Sequence, residues 1–196
     1  MTCIVGLVEN GNVYIGGDSA GVAGLSITIR SDEKVFENGP FIMGFTTSFR
    51  MGQLLRYKFE PPKQTVAQSD MQYMVTDFID AIRVCFTKNG FGDASSGGTF
   101  LVGYNGVLYH IDSDYQVGIP SGPYDSVGCG SDIALGAMYA SGGKTPEERV
   151  KLALEASAKF SGGVAPPFTL VKQVKKVVDK PTKAVKKTAA KPKDKK

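Results

Sequence analysis

The chain has 196 residues, 42% hydrophobic and 21% charged, with a formal net charge of +4. That length and balance suit one globular domain with a self-sufficient core and exclude a fibrous or wholly disordered chain. Three scattered cysteines (Cys3, Cys85, Cys129) and one histidine (His110) argue against a disulfide framework and against zinc, so no metal or cofactor is expected.

Ile4 to Val8 reads as a strand, Asn10-Gly11 as a tight hairpin turn, and Val13 to Ile15 as the return strand ending in Gly16-Gly17-Asp18. Gly21 to Gly24 suggests a further hairpin, with Leu25 to Ile29 alternating apolar and polar. Lys34-Val35-Phe36 and Phe41 to Phe45 form two more short strands about Asn38-Gly39-Pro40. From Ser48 to Phe59 the apolar residues Met51, Leu54, Leu55 and Phe59 take helical spacing, and Pro61-Pro62 stops the helix. Ser69 or Asp70 caps a second helix running to about Lys88, closed by Asn89-Gly90.

Strands resume at Thr99 to Gly103 and Val107 to Ile111, joined by Tyr104-Asn105-Gly106, with a glycine-punctuated strand at Ser126 to Gly130. Asp132 caps a helix from Ile133 to Ala140. Thr145-Pro146-Glu147-Glu148 opens another helix that reaches about Lys159. Phe168 to Val171 is the last strand, after Pro166-Pro167. Strands and helices are grouped rather than alternating, which argues against a doubly wound parallel sheet and for an α+β four-layer αββα sandwich, two antiparallel sheets between helix pairs.

Residues 172–196 hold eleven Lys and two Asp, a balance of +9, so residues 1–171 carry −5. This segment has few large apolar residues to offset ordering entropy, and a disordered tail behind a folded body of residues 1–171 is expected. Such a tail can contact nucleic acid or an acidic partner weakly through counterion release, without the aromatics that stack bases. The segment Met1 to Gly6 lacks a basic leader and no apolar run approaches spanning length, which places the expected location in the cytoplasm.

The chemistry centres on Thr2. Removal of Met1 ahead of a small residue exposes an α-amine, of pKa about 8, beside the Thr2 hydroxyl. One residue then supplies nucleophile and base, with no need of a histidine. The hairpin brings Asp18, at the end of the return strand, back toward Thr2. Lys34, one hairpin later, reaches the same place, where it would hold the amine neutral while Asp18 fixes the lysine.

The runs Thr2-Cys3-Ile4-Val5-Gly6-Leu7-Val8, Gly16-Gly17-Asp18-Ser19-Ala20 and Lys34-Val35 resemble the N-terminal half of proteasome β-subunits and HslV. Gly44-Phe45, Val127-Gly128-Cys129-Gly130-Ser131 and Ser161-Gly162-Gly163 extend the resemblance over residues 2 to 171. It implies the N-terminal nucleophile hydrolase fold and a threonine-type peptidase in which Thr2 forms an acyl-enzyme. Asp18 and Lys34 would be the polar pair beside it, and a backbone N–H near Thr46-Thr47 would supply the oxyanion hole. Cys129 stands where the family has a Ser that assists the amine. Lys159-Phe160 occupies the stretch where the family carries a late Asp, and Thr47 a position usually held by Gly. The resemblance further implies a homo-oligomeric ring, polypeptide substrates and an ATP-dependent unfoldase. The alternative is a non-catalytic ring or scaffold subunit of the same fold.

Other features read as structural. Gly142-Gly143-Lys144-Thr145 resembles the end of a phosphate loop, but Met138 stands where that pattern needs Gly, and a helix precedes it. Cys3 and Cys85 read as core, and His110 as an ordinary strand residue.

Overall fold

The computed structural model describes residues 1–93 and 96–174. Asn10 and Gly11 both take positive φ (52° and 75°), the backbone that a two-residue hairpin demands, and join β1 (Ile4–Glu9) to β2 (Asn12–Gly17). β3 (Ala20–Ala23) and β4 (Ser26–Ile29) pair only with each other, as a separate two-stranded sheet. β5 (Val35–Asn38) and β6 (Phe41–Phe45) follow, then α1 (Phe49–Tyr57), α2 (Asp70–Tyr73) and α3 (Ile79–Lys88). β7 (Phe100–Tyr104), β8 (Val107–Ile111), β9 (Val117–Gly118) and β10 (Tyr124–Val127) precede α4 (Ser131–Ala140), α5 (Pro146–Phe160) and β11 (Thr169–Gln173).

Two antiparallel sheets result, ordered β10-β1-β2-β11 and β5-β6-β7-β8-β9. Alternation along each strand sorts the apolar side chains into layers. Ile4, Ile15, Ile42, Leu101 and Leu108 meet between the sheets. Val5, Leu7 and Tyr14 face Met138, Val150 and Leu154 of α4 and α5. Phe41, Met43, Phe100 and Val102 face Met51, Leu54, Phe78 and Phe86 on the other side. The architecture is the expected αββα sandwich.

The sheets pack closest at glycines. A Cβ on Gly44 would lie 2.6 Å from Ile4 Cγ2 and 2.8 Å from Ile15 Cγ2. Gly44→Ala should therefore lower unfolding free energy by about 1–3 kcal/mol through overpacking, read as a lower midpoint in urea at unchanged slope.

Several boundaries differ from the sequence reading. The helix of residues 70–88 is interrupted by a π-helical turn, Met74–Phe78. Ser69, not Asp70, caps its start, accepting from the Gln72 N–H at 3.2 Å. β10 ends at Val127 because Gly128 turns the chain at φ +102°, so the strand expected over residues 126–130 lies at Tyr124–Val127 instead. α4 starts after Gly130 without a side-chain cap, and Asp132 lies inside its first turn rather than at the cap. β9 is too short to carry a periodic signal. β11 continues to Gln173, pairing Lys172 with Tyr14, so strand structure runs two residues past 171. Cys3 is fully buried, but Cys85 sits half-buried at the edge of the core. The tail reading from residue 175 on lies outside the described residues. No helix among the described residues is long and apolar enough to cross a membrane.

Candidate active site

The β1–β2 register places Ile4 opposite Gly17, so the residues just outside that pair, Thr2-Cys3 and Asp18, meet at one end of the sheet. The contact is reciprocal: the Asp18 N–H donates to the Cys3 carbonyl at 3.3 Å, and the Cys3 N–H donates to Asp18 Oδ1 at 3.0 Å. The Ala20 and Ala165 N–H groups donate to Asp18 Oδ2 at 3.0 and 3.2 Å. Lys34 directly precedes β5, and its carbonyl accepts from the Phe45 N–H at 3.0 Å, which fixes its backbone against β6. From there Lys34 Nζ donates to Asp18 Oδ1 at 2.8 Å and to Thr2 Oγ1 at 2.9 Å.

All three residues are buried, Thr2 at 5% exposure, Asp18 at 2% and Lys34 at 1%. An ammonium that deep is tolerated because a carboxylate meets it directly. Burial pushes the Lys34 ammonium below the usual lysine range, and the Asp18 charge and hydrogen bond restore part of the drop. A proton exchanged between Lys34 and the Thr2 hydroxyl moves along an existing hydrogen bond.

Met1 remains ahead of Thr2 as an amide. The Thr2 Oγ1 hydroxyl donates to the Met1 carbonyl, and the Thr2 N–H donates to Cys129 Sγ at 3.3 Å. Cys129 Sγ also lies 3.5 Å from the Thr2 carbonyl and 3.5 Å from Ser161 Oγ. The Gly130 N–H holds the same carbonyl at 3.3 Å. Gly128 is required here, since a Cβ on it would fall 2.2 Å from the Thr2 carbonyl oxygen.

A cavity of about 280 Å³ opens on Thr2 and runs along Thr46-Thr47, Arg30 and Phe49, with the β3–β4 hairpin as one wall. Thr47 takes φ +61°, a conformation that costs a β-branched residue of order 1–3 kcal/mol. Its Oγ1 accepts from the Thr99 N–H at 3.1 Å, while among the described residues its own N–H has no protein acceptor. The loop thus keeps a glycine-like backbone with a threonine in it.

Of the residues singled out in the sequence, Thr2, Asp18, Lys34 and Cys129 are joined through hydrogen bonds, and Thr47 lines the same cavity as Thr2. Sequence reasoning missed the Ala165 N–H on Asp18, which carries no side-chain signal, and the approach of Arg30 and Phe49, which depends on how the β3–β4 hairpin and α1 converge. Cys3 is no rival nucleophile: its side chain is enclosed by Ser126 and Ser157, and burial raises its thiol pKa.

His110 lies elsewhere. Its Nδ1 is 2.7 Å from Asp125 Oδ2 on β10, bridging the two sheets, and its Nε2 faces Asp112 Oδ1 at 3.3 Å without an aligned hydrogen bond. The Asp125 hydrogen bond chiefly raises the His110 pKa above its usual value. The folded protein therefore holds this proton at pH values where the unfolded chain has released it. The resulting stability is complete below about pH 6.5 and is lost as pH rises through the higher folded value. Denaturation midpoints from pH 6 to 8.5 should show this decline, and His110→Gln should remove it.

No protein-family model matches the sequence, and no curated protein does. Solved structures do match in fold. Thiobacillus denitrificans BPH in complex with epoxomicin aligns with a TM-score of 0.74 at 20% identity, over 87% of this chain and 97% of that one. A second Thiobacillus denitrificans BPH structure aligns at 0.74 and 19% identity, over 87% and 96%. Eukaryotic HslV from Trypanosoma brucei aligns at 0.70 and 16% identity, over 87% and 98%. The chain has the HslV/proteasome-type fold, the α+β sandwich of the N-terminal nucleophile hydrolases.

Proposed function

We propose that the chain is a threonine-type peptidase that acts once Met1 is removed, with Thr2 as nucleophile. The observation that carries the reading is the buried chain of contacts from Asp18 through Lys34 Nζ to Thr2 Oγ1, at 2.8 and 2.9 Å. A structural ion pair alone has no reason to point its ammonium at a hydroxyl that opens on a cavity.

In the proposed reaction Thr2 Oγ1 attacks the peptide carbonyl while its proton passes to neutral Lys34 Nζ or to the freed α-amine. The Thr47 N–H holds the developing oxyanion, a contribution of about 3 to 4 kcal/mol in other hydrolases. The C–N bond breaks as the departing amine takes the proton, leaving an ester on Thr2. Water, deprotonated by the α-amine, hydrolyses that ester and regenerates the hydroxyl. Cys129, beside the Thr2 nitrogen, orients the amine. The depressed Lys34 pKa sets the sign of the pH dependence: kcat/KM should climb as pH rises through a value below the usual lysine range, as measured with a fluorogenic peptide.

The fold is that of proteins that include HslV, and the reading extends to a closed homo-oligomeric ring in the cytoplasm, served by an ATP-dependent unfoldase. Light scattering that returns a monomer would contradict the ring. The catalytic reading is tested by intact mass. Incubation with epoxomicin, the compound held by BPH, should add one equivalent to a chain that begins at Thr2. A retained Met1 and no adduct would mark a scaffold subunit instead.

A further inference from the structure

Arg30 is the one charged side chain among the described residues lining the Thr2 cavity, and three contacts fix its guanidinium. Its plane lies over the Phe49 ring, 3.9 Å from the centroid. Its Nε and Nη2 donate to Asp32 Oδ1 and Oδ2 at 2.7 and 2.5 Å. Its stem crosses Gly21, where a Cβ would come 2.8 Å from Arg30 Cδ.

The Asp32 pair occupies only the side-on fork of the guanidinium. Two of its five N–H donors are engaged, and the other three, which include the end-on fork of one Nη1 and one Nη2 hydrogen, have no protein acceptor among the described residues. Asp32 does not line this cavity. The remaining walls mix apolar Val22, Ala23 and Phe45 with the hydroxyl residues Thr28, Thr46, Thr47 and Ser48. This combination suits a short aliphatic stem carrying a planar anion.

We infer that the cleft selects substrates with glutamate at the residue whose carbonyl Thr2 attacks. Its carboxylate takes the free end-on fork of Arg30 while its methylenes pack on Val22 and Phe45. The inference rests on the peptidase reading above and names its substrate class. A bidentate, charge-assisted pair in a partly enclosed cleft discriminates strongly against a neutral side chain and more strongly against a cation.

Three fluorogenic peptides that differ only in Glu, Leu or Lys before the scissile bond test this on the Met1-free protein. The ratio of kcat/KM for Glu over Leu should be about tenfold, with Lys the poorest, as one such pair allows. Arg30→Gln should bring the Glu-to-Leu ratio to about one, the loss expected with that pair gone. Gly21→Ala, which displaces the Arg30 stem without removing its charge, should lower the ratio as well. Hydrolysis with no Glu preference, or a preference that survives Arg30→Gln, overturns the inference and leaves the peptidase standing. Failure to cleave any of the three removes both.

Discussion

Thr2→Ala should cut peptide hydrolysis by at least about 10³-fold while the protein stays folded, because a nucleophile acting with its base contributes as one unit. The lost group is small. Lys34 Nζ keeps its 2.8 Å contact to Asp18 when Thr2 Oγ1 is gone, and the Met1 carbonyl contact is already absent once Met1 is removed, so only the Lys34 hydrogen bond, worth about 1 kcal/mol, disappears. Circular dichroism and melting temperature should change little. Thr2→Ser, which restores the hydroxyl without the methyl, should recover part of the rate. Turnover in Thr2→Ala equal to the parent would end the assignment of Thr2, whatever the fold.

Asp18→Ala should have the largest effect on stability. The Asp18 carboxylate receives the Cys3, Ala20 and Ala165 N–H groups as well as the Lys34 ammonium. Truncation leaves a cation buried without its counter-charge, a change that costs about 3–5 kcal/mol. For a domain of this size that corresponds to a melting temperature lower by roughly 10 °C, measurable by calorimetry. A double variant, Asp18→Ala with Lys34→Met, should recover much of the loss, because it removes the stranded charge along with its partner. A single variant that melts with the parent would mean that the pair is far more solvated than its burial implies.

The fold was legible wherever local chemistry dictates structure. Asn10-Gly11 forced the first hairpin, and Thr145-Pro146-Glu147-Glu148 opened α5 with a full capping box. From that hairpin alone the meeting of Thr2 and Asp18 could be derived. Lys34 was harder, because its approach depends on how the second sheet stacks on the first; its place one hairpin later allowed the meeting, and the family resemblance supported it. Elements held by tertiary pairing left no trace: β9 is two residues fixed by β8, and the π-helical turn inside the helix of residues 70–88 follows from no residue type. Thr47 shows the limit most plainly. Its side chain argues against a left-handed backbone, yet the loop imposes one at φ +61°. The cation in the cleft was equally hidden, since Arg30 reaches it from the end of an exposed hairpin and across a glycine.

The position of Met1 has a practical consequence. Its carbonyl lies against the Thr2 hydroxyl, and its side chain crowds Gly163, where a Cβ would fall 2.4 Å from Met1 Cβ. Any affinity tag fused upstream would begin inside the cleft and leave the Thr2 nitrogen acylated. Recombinant protein meant for assay is therefore best given a native start codon, or a cleavable leader whose scar ends at Thr2, with the purification handle at the other terminus.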